Sequence, residues 1–152
     1  MDLADAKLDK ARAEGASHTV NAGTDDAVAA IRDITGGGAD LAIGGLGAAS
    51  LVETAVLSLR KGGRLVQVGL TSQAEQGYVR IPLDHIIEGE IEIAGSVGNP
   101  HVDYPRLLGL VATGVLRPAR IVGQTLPLAQ ASGVLAAMDS FETLGFSVIT
   151  GF

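Results

Sequence analysis

The stretch from Lys61 to Leu70, which reads Lys-Gly-Gly-Arg-Leu-Val-Gln-Val-Gly-Leu, constrains the fold more than any other part of the chain. Its glycine pair is typical of a helix end, and the short β-branched run at 64–68 is typical of a buried strand. The order of helix, buried strand and glycine-containing loop is typical of a parallel α/β sheet. Such sheets bind ligands beyond the carboxyl ends of their strands, which predicts a ligand near Val68, Gly69 and Leu70.

Hydrophobic spacing and turn residues predict alternating helices and strands along the rest of the chain. The predicted helices are 5–14, a helix capped by Thr24 and ended by Gly36, 48–59, a short helix or turn from Pro82 through Ile87, a helix capped by Asp103 and ended before Gly114, and 128–139. The predicted strands are 17–21, 39–43, 64–68, 90–96, 121–126 and 146–150. This order predicts a parallel sheet with helices on both faces, within one domain that covers residues 1–152.

Residues 90–96 differ from the two apolar strands at 39–43 and 64–68. They alternate as Glu-Ile-Glu-Ile-Ala-Gly-Ser, whereas the other two are interpreted as buried runs, of the kind that parallel sheets cover on both faces. Alternation is typical of a strand with one face in water. We therefore expect 90–96 to be an edge strand.

Charge and composition exclude several classes of function. The net charge is −6 and no basic stripe interleaved with aromatic residues is present, which argues against a nucleic-acid partner. No apolar run approaches the roughly 18 residues of a membrane span. The chain has no cysteine, and its first residues resemble no secretory signal, so we expect a cytoplasmic protein without a membrane partner.

A glycine-rich turn is the strongest candidate for a phosphate site. Gly45-Leu-Gly47-Ala-Ala-Ser50 follows a strand and opens a helix, where free N–H groups attract anions. The third glycine of the dinucleotide fingerprint is missing, however, and no acidic residue follows about 20 positions later. Either this is the pyrophosphate turn, or the glycines only let a ligand or the helix come close.

The histidines and serines predict no catalytic or metal site. His18, His85 and His101 are scattered without the spacing of metal ligands. No Gly-x-Ser-x-Gly elbow is present, since Gly95-Ser-Val-Gly98 fits it poorly. We assign neither catalytic residues nor metal ligands to this chain.

Several segments together resemble those of a known family. They are Asp2–Ala16, His18–Ala22, Ile34–Asp40 followed by Leu46 and Gly47, Leu59–Gly69, and Ile93–Ser96. In this order they resemble the second-strand exit and the third to sixth strands of the cofactor-binding domain of medium-chain, zinc-dependent alcohol dehydrogenases. The resemblance implies a Rossmann-like, doubly wound parallel sheet that is incomplete, because the first strand and most of the second are missing.

The resemblance also implies a nicotinamide cofactor and residues that bind it. Asp2 matches the acidic residue that binds the adenosine ribose, which favours NAD over NADP, and Lys7 matches a basic residue beside that ribose. The positions that match the lining of the nicotinamide are Leu46, Gly47, Val68, Gly69, Leu70, Ala94, Gly95 and Ser96. The catalytic domain with its zinc ligands and the Gly-x-Gly-x-x-Gly turn have no counterpart, so zinc is implied for the full-length parent alone and NAD affinity should be weak or lost.

The missing strands raise a folding problem. In the strand order 3-2-1-4-5-6, strands 1 and 2 separate strand 3 from strand 4. Residues 17–21 would therefore lack a neighbour, and the edge of 39–43 would be bare. Because bare edges promote association, we expect a rearranged sheet, strand exchange, or a homo-oligomer formed through Glu90 to Ser96.

Three functions follow from these observations. The first is the cofactor-binding fragment of an NAD-dependent alcohol dehydrogenase-type oxidoreductase. The full-length parent would transfer hydride between an alcohol or aldehyde and nicotinamide, and we expect the fragment alone to be inactive. The second is a non-catalytic module for self-association or docking. The third is a small hydrolase that uses Ser96 and His101. Within the enzyme class, an NADPH-dependent quinone reductase fits less well, because Asp2 would repel a 2′-phosphate.

Overall fold

The computed structural model describes residues 1–98, 101–140 and 143–151. The chain divides into two compact units. The first contains Met1–Leu8 and Ser17–Gly98, and the second contains Asp9–Ala16 and Asn99–Phe152. Within the described ranges, no helix has the length and apolar character that crossing a bilayer requires.

Six α-helices and five strands form the described part of the chain. The helices are α1 (Asp5–Ala13), α2 (Ala27–Ile34), α3 (Ala49–Leu57), α4 (Leu83–Gly89), α5 (Tyr104–Ala112) and α6 (Ala131–Ala137). The strands are β1 (Ala39–Gly44), β2 (Leu59–Gln67), β3 (Glu92–Gly95), β4 (Val122–Pro127) and β5 (Phe146–Gly151). Short 3₁₀ turns flank α5, β4 and α6. The predicted elements at 5–14, 39–43 and 146–150 are confirmed to within one residue at each end.

The first unit is built on a parallel sheet with the order β1-β2-β3. Ala42 of β1 lies beside Leu65 of β2, so their side chains share one face. Helix α3 covers this face, and its Val52 and Val56 form the hydrophobic core with the fully buried Leu65. The predicted edge position of 90–96 agrees with this order, because β3 is one of the two outer strands.

The opposite face of this sheet carries apolar side chains that remain exposed. Leu41 is 52% exposed and Ile43 is 69% exposed. The prediction that 39–43 is buried on both faces is therefore wrong. The physical reason is that the core of this unit lies on the other face, where α3 and α4 contribute Val52, Val56 and Ile86.

The sequence predicted that the glycine pair at 62–63 ends a helix, and this prediction is wrong. Helix α3 ends at Leu57, and β2 already begins at Leu59. Between its pairings through Leu59 and Arg64, β2 advances five residues while β1 advances two. Gly62, with φ of 70°, lies in this irregularity and has a left-handed backbone conformation that glycine adopts easily.

The predicted strand at 17–21 is reduced to a single bridge. Asn21 pairs with Asp2 in parallel orientation. The Asp2 N–H donates to the Val20 carbonyl at 3.2 Å, and the Ala22 N–H donates to the Asp2 carbonyl at 3.0 Å. The expectation that this segment has no neighbour is thus also wrong, but one residue of partner strand is too little to extend the ladder.

Two predicted helix caps differ from the structure. The Asp26 carboxylate, rather than Thr24, caps α2 by accepting the Ala29 N–H at 3.0 Å. The Thr24 hydroxyl instead donates to the Asn21 carbonyl. Asp103 lies at the predicted N-cap of α5 without a side-chain capping hydrogen bond, and Pro105 occupies the first turn.

The second unit contains a separate two-stranded sheet in which β4 pairs with β5 in parallel. Leu126 of β4 is its buried side chain. In the same unit, Arg120 contacts the C-terminal end of α1. Its guanidinium donates to the Ala13 carbonyl at 2.6 Å and lies 3.1 Å from the Glu14 carboxylate. Such a cation at a helix C-terminus is favourable because it complements the helix dipole.

We expect the Leu65→Ala variant to lose about 2–5 kcal/mol of unfolding free energy, because the Leu65 side chain of β2 is fully buried in the core under α3. Urea denaturation followed by circular dichroism measures this loss. Leu83→Ala is the matched control: its side chain is exposed on α4, and its effect should stay within about 0.5 kcal/mol. Equal effects of the two substitutions would contradict the assignment of the core.

Candidate functional site

The carboxyl ends of β1, β2 and β3 meet at one edge of the sheet. The N–H of Val68 donates to the Gly44 carbonyl at 2.9 Å, which joins the ends of β1 and β2. The N–H of Ser96 donates to the Gln67 carbonyl at 3.0 Å, which joins the ends of β2 and β3. The structure therefore brings together eight of the ten predicted residues, which we call the strand-exit residues: Leu46, Gly47, Val68, Gly69, Leu70, Ala94, Gly95 and Ser96.

Glycines let the loops after β1 and β2 touch each other. A Cβ atom on Gly47 would lie 2.2 Å from the Leu70 carbonyl oxygen, and one on Gly69 would lie 2.6 Å from the Gly45 carbonyl oxygen. Gly45 and Gly95, in contrast, have no neighbouring atom within 4 Å of the same position. The edge of the sheet thus has one tightly packed wall and open space beside it.

The side chains at this edge are mostly apolar. Leu46, Val68 and Leu70 are exposed, with Leu70 85% accessible, and Ser96 adds an exposed hydroxyl. An apolar rim with few polar groups is typical of the lining of small-molecule sites. It offers positioning and shape, whereas acid–base chemistry would need titratable groups.

Asp2 and Lys7 lie elsewhere in the first unit. Asp2 Oδ1 accepts the N–H groups of Leu3 at 2.8 Å and Ala4 at 3.0 Å, which orients the carboxylate at the start of α1. Lys7 is half-buried on the first turns of that helix. In the part of the chain that the structure describes, no hydrogen bond or ion pair joins Asp2 or Lys7 to the strand-exit residues.

Gln67 is a site residue that the sequence reasoning missed. Its side-chain nitrogen donates to the Gly69 carbonyl at 2.8 Å and reaches the Leu46 carbonyl at 3.4 Å, so it bridges the two loops. A Cβ on Gly44 would lie 1.9 Å from the Gln67 Oε1 atom. Gln67 therefore fills the space that a side chain at position 44 would need.

Glu75 is the second residue that the sequence reasoning missed. Its carboxylate accepts the N–H of Ala49, at the start of α3, at 3.1 Å. The signal that points to it is the sequence around Ala48, the N-cap residue of α3, which provides no capping side chain of its own. The start of α3, predicted as a possible phosphate site, is thus occupied by a carboxylate of the chain itself.

The described residues contain no group of three or more His, Asp or Glu side chains that would hold a metal ion. His85 Nε2 is buried without a hydrogen-bond partner. A single buried ring nitrogen does not form a metal site.

Comparisons with known proteins match this geometry. A family model described as zinc-binding dehydrogenase matches residues 1–113. A sorbitol dehydrogenase of Bacillus subtilis (strain 168) is 32% identical over 144 residues, which cover 93% of this chain and 39% of that protein. An NAD-dependent alcohol dehydrogenase of Sulfurisphaera tokodaii is 29% identical over 150 residues, which cover 98% of this chain and 42% of that protein.

Solved structures agree with the fold. The crystal structure of benzyl alcohol dehydrogenase from Acinetobacter calcoaceticus matches with a TM-score of 0.88 at 25% identity, over 99% of this chain and 41% of that chain. The chain thus spans about two fifths of the length of the relatives it matches. The predicted resemblance to zinc-dependent alcohol dehydrogenases and the predicted incomplete Rossmann-like α/β fold are confirmed.

We expect Gly47→Ala to lower the unfolding free energy by about 1–3 kcal/mol, because its Cβ would collide with the Leu70 carbonyl and push the two loops apart. Gly45→Ala is the matched control, because its Cβ would enter open space, and its effect should remain near about 0.5 kcal/mol. Urea denaturation of the two variants tests this contrast. A loss in Gly45→Ala as large as in Gly47→Ala would show that the loop contact does not matter.

Proposed function

Because the chain belongs to the zinc-binding dehydrogenase family, we propose that residues 1–152 are the cofactor-binding part of an NAD-dependent alcohol dehydrogenase-type oxidoreductase. The observation that carries the proposal is the meeting of three strand exits at one open, glycine-lined edge. Parallel α/β sheets bind ligands at this position. The names of the relatives, which are alcohol and polyol dehydrogenases, support the same reaction class.

The strand-exit residues fit a nicotinamide ring. The open space beside Gly45 and Gly95 leaves room for it, and the apolar side chains of Leu46 and Val68 offer contacts to its faces. When bound, the cofactor accepts or donates the hydride at its C4 atom. The chain itself would position the ring and keep water from one side of it.

The Asp2 carboxylate supports NAD rather than NADP. Its Oδ1 atom is held by two backbone N–H groups, so its charge is fixed at the start of α1. A carboxylate accepts hydrogen bonds from the ribose hydroxyls of NAD and repels the 2′-phosphate of NADP. Lys7, one turn further along α1, would lie beside the same ribose.

Zinc and alcohol oxidation belong to the longer parent in this proposal. The described residues provide no zinc ligand set. We therefore expect no dehydrogenase activity from the chain alone and derive no step through zinc. NAD affinity should be weak, because the chain has no complete Gly-x-Gly-x-x-Gly turn for the pyrophosphate.

Isothermal titration with NAD and with NADP tests the cofactor site. We expect saturable binding of NAD, weaker binding of NADP, and a several-fold loss of NAD affinity in Asp2→Asn. This substitution keeps the side-chain oxygen for the Leu3 and Ala4 N–H groups but removes the charge. Asp84→Asn, on the exposed surface of α4, is the matched control and should bind NAD like the parent chain.

The absence of saturable binding at millimolar NAD would overturn the proposed cofactor site. Equal affinity of the parent chain for NAD and NADP would overturn the role of Asp2 alone. Both outcomes are read from the same titrations.

A second candidate function is self-association through the sheet edge at Glu90 to Ser96. It is favoured because β3 is an outer strand of the sheet, and its Ile93 is exposed. An exposed edge with apolar side chains pairs readily with another strand. A cytoplasmic homo-oligomer is the form that this hypothesis predicts.

Multi-angle light scattering tests the association. Ile93→Lys should shift an oligomer toward monomer, because a charge at an edge strand opposes pairing. Ile87→Lys, at an exposed position of α4, is the control that adds the same charge away from the edge. A monomeric parent chain, with or without NAD, would exclude this function.

A further inference from the structure

The N-terminus of α3 is completed by a residue from a distant loop. Ala48 occupies the N-cap and has no side chain to accept a hydrogen bond. The first N–H groups of a helix lack partners within the helix and need external acceptors. Glu75 Oε1 accepts the Ala49 N–H at 3.1 Å, across 26 positions of the sequence.

The other oxygen of the same carboxylate holds the loop. Glu75 Oε2 accepts the Ser72 N–H at 3.1 Å and a short hydrogen bond from the Ser72 hydroxyl. The Tyr78 N–H donates to the Glu75 carbonyl at 2.9 Å, and the Gly77 N–H donates to the Thr71 hydroxyl oxygen at 3.0 Å. The loop 71–77 is thus a bonded turn, and the Glu75 carboxylate is its hydrogen-bonded connection to α3.

This connection adjoins the tight wall of the candidate site. Ala49 is two residues beyond Gly47, and Ser72 is two residues beyond Leu70. Gly47 and Leu70 are the residues whose backbones touch. The Glu75 carboxylate therefore connects the two segments that form this wall, one through the Ala49 N–H and the other through Ser72.

We propose that Glu75 is a positioning residue, a latch that fixes the loop 71–77 to the first turn of α3 and opens when its carboxylate is protonated. The latch is a property of the chain without any ligand. Its effect on NAD binding rests on the proposed function. Its occupancy of the helix end also makes the start of α3 unsuitable for a phosphate while the latch is closed.

The charge state of Glu75 sets the direction of the pH dependence. The Ser72 hydroxyl, followed by the Ala49 N–H, lowers the pKa of Glu75 below its ordinary value of 4.5, because both donate to the charged form. A carboxyl whose pKa is lower in the folded state stabilises the fold above its unfolded pKa. That contribution disappears as the pH falls through the folded pKa, so the latch is closed at neutral pH and opens below pH 4.5.

The titratable groups on the two segments that this carboxylate joins are few. Glu53 is the titratable group on α3, Tyr78 closes the loop, and Arg80 follows it. No ion pair to Glu75 is present among the described residues. The titration of the latch should therefore follow Glu75 itself.

Amide hydrogen exchange and NMR titration of the chain without cofactor test the latch. In Glu75→Ala, we expect about a tenfold fall in the protection of the Ala49 and Ser72 amides at neutral pH, since charge-assisted hydrogen bonds are lost. The protection of Leu65 in the core should not change. Glu53→Gln, on the same helix, is the matched control and should leave all these amides unchanged.

The pH titration distinguishes a latch from a merely structural contact. In the parent chain, the Ala49 and Ser72 amide shifts should titrate together with a midpoint below 4.5. Glu75→Gln, which keeps the size of the side chain, should abolish that titration. Unchanged protection in Glu75→Ala, or amide shifts that titrate equally in Glu75→Gln, would overturn the proposal, and the parent titration decides it alone if the variants do not fold.

NAD titration of the same variants separates the latch from the cofactor site. If NAD binds, Glu75→Ala should weaken it several-fold more than Glu53→Gln does, and equal affinities would overturn the link between latch and site. If NAD does not bind, the proposed function fails. The exchange and shift data still confirm or overturn the latch in that case.

Discussion

The burial of one row of side chains beneath α3 determines where everything else in the first unit lies. Leu65 is paired with Ala42 on β1 and with Ile93 on β3, and α3 covers it. Since side chains alternate between faces, a shift of one residue would turn Leu65 into solvent. The burial therefore fixes the register of the three strands. That register brings the strand exits level with one another, so the candidate site follows from a packing requirement.

Glycines at this edge act together with longer side chains from other segments. Gly44 leaves the space that Gln67 fills, and Gly47 lets the Leu70 backbone approach. Gln67 bridges the two loops by donating to the Leu46 and Gly69 carbonyls. Glu75 connects the second loop to the first turn of α3. The missing side chains of Gly44 and Gly47 are thus matched by the Gln67 side chain and the Leu70 backbone, whereas Gly45 and Gly95 face open space.

The sequence predicts those elements that depend on nearby residues. The hydrophobic pattern of β1 and the alternation of β3 are local signals, and both strands lie where the sequence predicted them; for β2 the prediction found the end but not the first five residues. Gly62 was misassigned because a helix end and this register irregularity both use the left-handed backbone conformation that glycine adopts easily. Residues 17–21 failed as a strand because a strand needs a partner of several residues. Gln67 and Glu75 were missed because their contacts span 21 and 26 positions, which no local pattern encodes.

The chemistry of this edge is that of positioning. The strand-exit residues are glycines, apolar side chains and one serine, and none supplies a proton donor or acceptor that would act near neutral pH. The carboxyl whose pKa is clearly lowered, Glu75, is engaged by Ser72 and Ala49 and serves the loop. A site of this composition can accelerate a reaction only by holding a reactive group in the right geometry. In the proposed function, the reactive group is the nicotinamide of the cofactor, and the strand-exit residues contribute its position.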